Sequence, residues 1–163
     1  MMPDFSHLYQ RPAGLSPKPK ALPADLYPGI IRSYSFEEIN RPSISPDPVP
    51  AVRINITPLG WPDSVPPQER VIEDGNGGST PIDLSKKQFR TDFATPTEFT
   101  HQSWYYFDEF LKSCGLEPDG RNYEELISQL PGQQVKFEIQ QYLNQRTNEI
   151  GNQVGRVFGS NRG

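Results

Sequence analysis

Two stretches of strict two-residue alternation bracket one segment of helical period, and few folds accommodate that arrangement. In "AVRINITPL" (51–59), Val52, Ile54 and Ile56 alternate with Arg53, Asn55 and Thr57. In "QQVKFEIQQYL" (133–143), Val135, Phe137 and Ile139 alternate with Lys136, Glu138 and Gln140. Such a pattern predicts half-buried strands, apolar on one face. Between them, "HQSWYYFDEFLKSCG" spaces Trp104, Phe107, Leu111 and Cys114 along one face of a helix, with Tyr105, Asp108, Glu109 and Lys112 opposite. Ser103 or Thr100 is the expected cap, and Gly115 stands where a helix-ending glycine belongs.

Three further strands are predicted. "LYPGIIRSYSFEEI" (26–39) alternates Ile31, Ser33 and Ser35 with Ile30, Arg32, Tyr34 and Phe36. "IDLSKKQFRTDF" (82–93) carries Leu84 and Phe89 as anchors, and "NQVGRVF" returns after the loop "NQRTNEIG", with Gly155 marking a bulge or a close backbone approach. Asn122 with Glu125 forms a capping box for a short second helix that should stop at Pro131–Gly132. The 163 residues include 18 prolines and 13 glycines, so much of the chain is expected in loops or tails. The expected organisation is a flexible Pro/Lys-rich arm over 1–21, one domain over 22–158 with a mobile loop at about 60–81, and a short tail over 159–163. The order of elements is that of a mainly β, five-stranded antiparallel OB-like barrel with a helix between strands 3 and 4. An open α+β sandwich uses the same elements.

Nothing in the chain has the spacing of a catalytic site. His7 lies in the arm, His101 reads as a capping or packing residue, and Cys114 falls on the apolar helix face where a thiol is inert. "EDGNGG" lacks the alternating carboxylates of a calcium loop, and "GNGG" does not join a strand to a helix as a phosphate loop must. No enzyme activity, metal or cofactor is therefore expected. A single cysteine and the lack of a long apolar run point to a cytoplasmic protein outside the membrane. The net charge of −4 argues against coating a polyanion by bulk charge, while leaving room for a local basic groove. Arg32, Tyr34, Arg53, Lys86, Lys87, Arg90, Lys136, Tyr142, Arg146 and Arg156 all fall on predicted strands or adjoining loops. On one curved sheet they would line a groove in which cations meet phosphates and rings meet bases. Solubility and edge protection explain the same cations equally well.

The segments "LPADLYPGII", "HQSWYYFDEFLKSCGLEPDGRNYEELISQLPGQQVKFEI" and "RTNEIGNQVGRVF" resemble a family of small phage-encoded single-stranded-DNA-binding proteins. The similarity covers the first strand and residues 101–158, and does not extend to 40–98. It implies an OB-like fold that binds single strands without catalysis, in phage replication or recombination, in the host cytoplasm. Single-stranded DNA, replication or recombination proteins and further copies of the chain are the partners it admits. Arg121, Lys136, Arg146, Asn148, Asn152 and Arg156 are the residues it implies touch DNA. The chain departs from the outline at "GSNRG", where many single-strand binders carry an acidic tail that recruits partner enzymes. A protein-interaction or virion component using the same fold without nucleic acid is the competing function.

Overall fold

The computed structural model describes residues 6–10, 20–73 and 77–160. Most of the arm expected over 1–21 therefore lies outside the described residues, which hold from it only Lys20, Ala21 and 6–10, with the turn α1 (Ser6–Tyr9). The strands are β1 (Asp25–Ile39), β2 (Val49–Pro58), β3 (Val71–Glu73), β4 (Ser79–Pro81), β5 (Phe89–Ala94), β6 (Gln134–Asn144) and β7 (Glu149–Gly159). Helices α2 (Gln102–Ser113) and α3 (Tyr123–Ile127) lie between β5 and β6. The architecture is mainly β: an antiparallel five-stranded sheet in the order β5-β2-β1-β6-β7, with β3 and β4 as a separate hairpin. Among the described residues no helix is long and apolar enough to cross a membrane.

The long first strand is central because it changes partners. Asp25–Ile30 pair with β6, and Gly29–Ile39 pair with β2. At the overlap, Gly29 allows close approach: a Cβ there would lie 2.6 Å from Phe137 Cε1 and 2.7 Å from Ile56 Cγ2. Tyr27, Ile31, Ile54, Ile56, Val135, Phe137 and Ile139 form the centre of the core, all fully buried. Helix α2 packs Phe107, Phe110 and Leu111 against it, with Phe93 stacked on Phe110 at 4.4 Å. Ser113 Oγ fixes the helix end on β7 by accepting from Gly159 N at 2.8 Å.

Several expectations are corrected. The sheet does not close into a barrel: β5 and β7 are its two edges, and no backbone hydrogen bond joins them among the described residues. The stretch read as a loop over 60–81 contains β3 and β4, so α2 follows the fifth strand of the chain; within the five-stranded sheet alone it falls between the third and fourth. The strand expected from 82 starts only at Phe89. Before it, the Asp83 carboxylate accepts from Ser85 N at 3.0 Å and turns Leu84–Lys86 into one 3-10 turn. The cap of α2 is His101, whose Nδ1 accepts from Ser103 N at 3.1 Å. Trp104 is half-buried, its indole donating to Pro96 O at 2.8 Å.

A bulge changes the phase of β1. Ile31 opposes Ile56 and Ser33 opposes Asn55, leaving Arg32 as the extra residue. Ile31 and Tyr34 thereby share the core-facing side, against the simple alternation expected. A second bulge lies where Gly155 was expected to mark one: Phe137 opposes Val157 and Ile139 opposes Val154, so Gly155 and Arg156 together face Glu138.

Two outcomes follow from this packing. Gly29→Ala forces a methyl into Phe137 and Ile56, and should cost about 1–3 kcal/mol in urea unfolding. Tyr27, whose OH donates to Pro23 O at 2.8 Å, has its pKa pushed up to about 12, chiefly by burial and further by the Asp25 and Glu69 carboxylates. An unfolded phenol ionises near about 10, so the folded state holds its proton longer. The stabilisation is complete below that pH and is lost as pH climbs from there towards the folded value. Circular dichroism through this window should show alkaline unfolding, with a shallower loss in Tyr27→Phe.

Candidate nucleic-acid interface

The sheet surface away from the core carries polar cross-strand rows, one residue from each strand. Ser35, Arg53 and Asp92 form one row, and Ser33, Asn55 and Arg90 the next. The first row is electrically closed. Arg53 donates Nε to Asp92 Oδ1 at 2.8 Å and Nη2 to Oδ2 at 3.1 Å, with Glu37 at 4.0 Å. The Asp92 hydrogen bond raises the Arg53 pKa further. The second row is open: Asn55 Nδ2 donates to Ser33 Oγ at 3.0 Å, while exposed Arg90 has no carboxylate partner among the described residues.

That open row forms one wall of a cleft of about 670 Å³ at the β5–β7 seam. Its polar lining is Arg41, Asn55, Gln88, Arg90, Thr91, Asp92, Asn152 and Gln153. Arg41 comes from the proline-rich segment between β1 and β2, where Ile44 N and Ser45 N both bond to the Arg41 carbonyl, at 2.9 and 3.1 Å. Its guanidinium also has no carboxylate partner among the described residues. An adjoining cleft of about 490 Å³ shares Thr91 and Asp92 and runs on to Tyr106, Glu109 and Arg156. Unpaired cations beside amide groups that can both donate and accept suit a phosphodiester backbone and base edges.

Of the thirteen residues singled out in sequence, Arg90 and Asn152 reach the main cleft. Asn152 is already engaged: Oδ1 accepts from Leu22 N at 2.8 Å, and Nδ2 donates to Leu22 O at 2.9 Å and Gln140 O at 3.3 Å. Its amide anchors the chain entering β1. Arg156 lines the adjoining cleft with its guanidinium 3.7 Å from Glu138. Arg53 is spent on Asp92. Arg32 and Tyr34 do not line the clefts, and Tyr34 is half-buried against the core.

The others are dispersed. Lys86 and Lys87 lie at the 3-10 turn before β5, and Lys136 is exposed on β6 between Pro28 and Phe158. Arg146 sits at the exposed β6–β7 turn, its N–H donating to Asn144 Oδ1 at 3.0 Å. Asn148 takes a left-handed φ of 58° and lines a separate cleft with Lys20 and Ile72. Tyr142 is exposed on the same hairpin, its ring lying over Gly151, where a Cβ would come within 2.8 Å of it. Arg121 bonds to the Glu117 carbonyl and lines a mainly apolar pocket between α2 and α3. The cations do not all converge on one concavity; the group that does includes Arg41, which sequence reading missed. Its only signal was an arginine before proline in a segment read purely as a breaker.

No protein-family model matches the chain, and no curated protein matches it in sequence.

Proposed function

We propose that the chain binds single-stranded DNA with little sequence preference, acting by binding and not by catalysis, in phage replication or recombination within the host cytoplasm. The strand order supports an OB-like reading: the first sheet strand is central, the helix precedes the fourth, and the third and fifth face each other across a seam. The observation that carries the proposal is the pair Arg41 and Arg90. Both line the seam cleft without a carboxylate partner among the described residues, while the nearby Asp92 is committed to Arg53. Single strands suit the site because an open cleft lined by amides can meet unpaired base edges as well as phosphates.

Fluorescent oligothymidine should bind with an affinity that falls steeply with salt. Arg41→Glu and Arg90→Glu should each weaken binding and reduce the salt slope by about one. Arg121→Glu, in the α2–α3 pocket, should leave affinity unchanged. Absence of binding at micromolar protein, or equal losses in all three variants, would refute the assignment.

A further inference from the structure

The far end of the seam is built differently from the part that holds Arg41 and Arg90. The two clefts share Thr91 and Asp92, so a strand lying in one enters the other without leaving the groove. Beyond that junction one wall is helix α2, which presents Tyr106, Glu109, Phe110 and Ser113, a single face at spacings of three and four residues. Phe110 and Ser113 are buried, which leaves Tyr106 and Glu109 to meet whatever enters.

Tyr106 is 59% exposed although it lines a cleft of about 490 Å³. Its ring meets that of Tyr105 edge-on at 5.7 Å, a contact that covers at most one face of either ring. An open aromatic face beside a groove suited to phosphates takes a nucleobase by stacking. Glu109 follows three residues on, so the two side chains start about 5–6 Å apart and a base on the ring turns its edge to the carboxylate. Lys112 Nζ is 3.8 Å from Glu109 Oε1, too far for a hydrogen bond, and both side chains remain partly exposed. The other carboxylate of this cleft, Asp92, is held by Arg53 through both oxygens. Glu109 is thus the carboxylate left to accept from a ligand.

A carboxylate only accepts, so it sorts unpaired bases by the donors on their edges. Guanine offers two neighbouring donors, N1–H and the N2 amino group, which match two oxygens. Cytosine and adenine each offer one amino group. Thymine offers a single N3–H between two carbonyls that repel the carboxylate. Resting on the single-strand reading of the seam, we propose that its far end is a guanine pocket. Tyr106 stacks on one base of the bound strand, and Glu109 accepts from the N1–H and N2 amino group of that base. One position in an otherwise sequence-tolerant footprint is thereby selective.

Binding of the full chain to fluorescent oligothymidine, and to the same oligomer with one central guanine, tests the pocket, with circular dichroism to establish that each variant is folded. The guanine oligomer should bind about five-fold tighter. An oligomer carrying inosine there, which lacks the N2 amino group, should fall between the two. Glu109→Ala should abolish the guanine preference while oligothymidine binding and its salt dependence persist. Tyr106→Ala should weaken both oligomers about five-fold, and Tyr106→Phe, which keeps the ring, should bind as the unaltered chain does. Equal affinity for the two oligomers, a preference that survives Glu109→Ala, or undiminished binding by Tyr106→Ala would each overturn the pocket, with salt-dependent oligothymidine binding through Arg41 and Arg90 left standing. No binding of either oligomer by the unaltered chain would sink the seam and the pocket together.

Discussion

At Gly29 the Phe137 ring and the Ile56 side chain close over a backbone that has no side chain of its own. β6 and β2 flank β1 there, and the rest of the sheet is built outwards from that junction. The first strand must serve two partners in succession, so its apolar residues cannot follow one uninterrupted alternation. The bulge at Arg32 absorbs the mismatch: it keeps Ile31 and Tyr34 both towards the core, and beyond it β1 pairs with β2 alone.

The cleft follows from the same geometry. Because the outer strands stop short of bonding, their polar residues face each other across a gap lined mostly by amides, hydroxyls and arginine. Within it, charge is decided by register. One row sets Arg53 against Asp92 and cancels; the next sets Arg90 against Asn55 and does not. A shift of one position would set Arg53 against Thr91 or Phe93 and leave neither pairing in place. The acidic net charge of the whole chain says little about such a site, since a few ångströms separate a closed ion pair from a free guanidinium.

Where one face of a strand is buried, the sequence was readable. β2, β6 and β7 fall close to where alternation put them, because Ile54, Ile56, Phe137 and Ile139 have no other place to go. The capping box at Asn122 was also legible, its Oδ1 accepting from Glu125 N at 2.9 Å. What escaped depends on contacts remote in sequence. The 3-10 turn at Leu84 conceals itself because Ile82 and Leu84 are both buried, as strand residues would be. The β3–β4 hairpin is too short to show a period. Arg53, Arg90 and Arg156 are indistinguishable as letters, and only register tells which of them has a neighbouring carboxylate. Asn152 looked like a ligand-binding amide, yet it holds Leu22, 130 positions away.

The clasp between Asn152 and Leu22 ties the entry of the first strand to the last hairpin. Gln141 adds to it by donating to the Leu22 carbonyl at 2.9 Å. The start of the sheet and its final strand are thus stitched together by side-chain amides, without a ladder of main-chain bonds. A molecule fastened in this way resembles a cuff with its buckle beside the opening: Asn152 lines the seam cleft and holds Leu22 at once, so the wall of the cleft and the entry of the first strand are fixed by the same side chain.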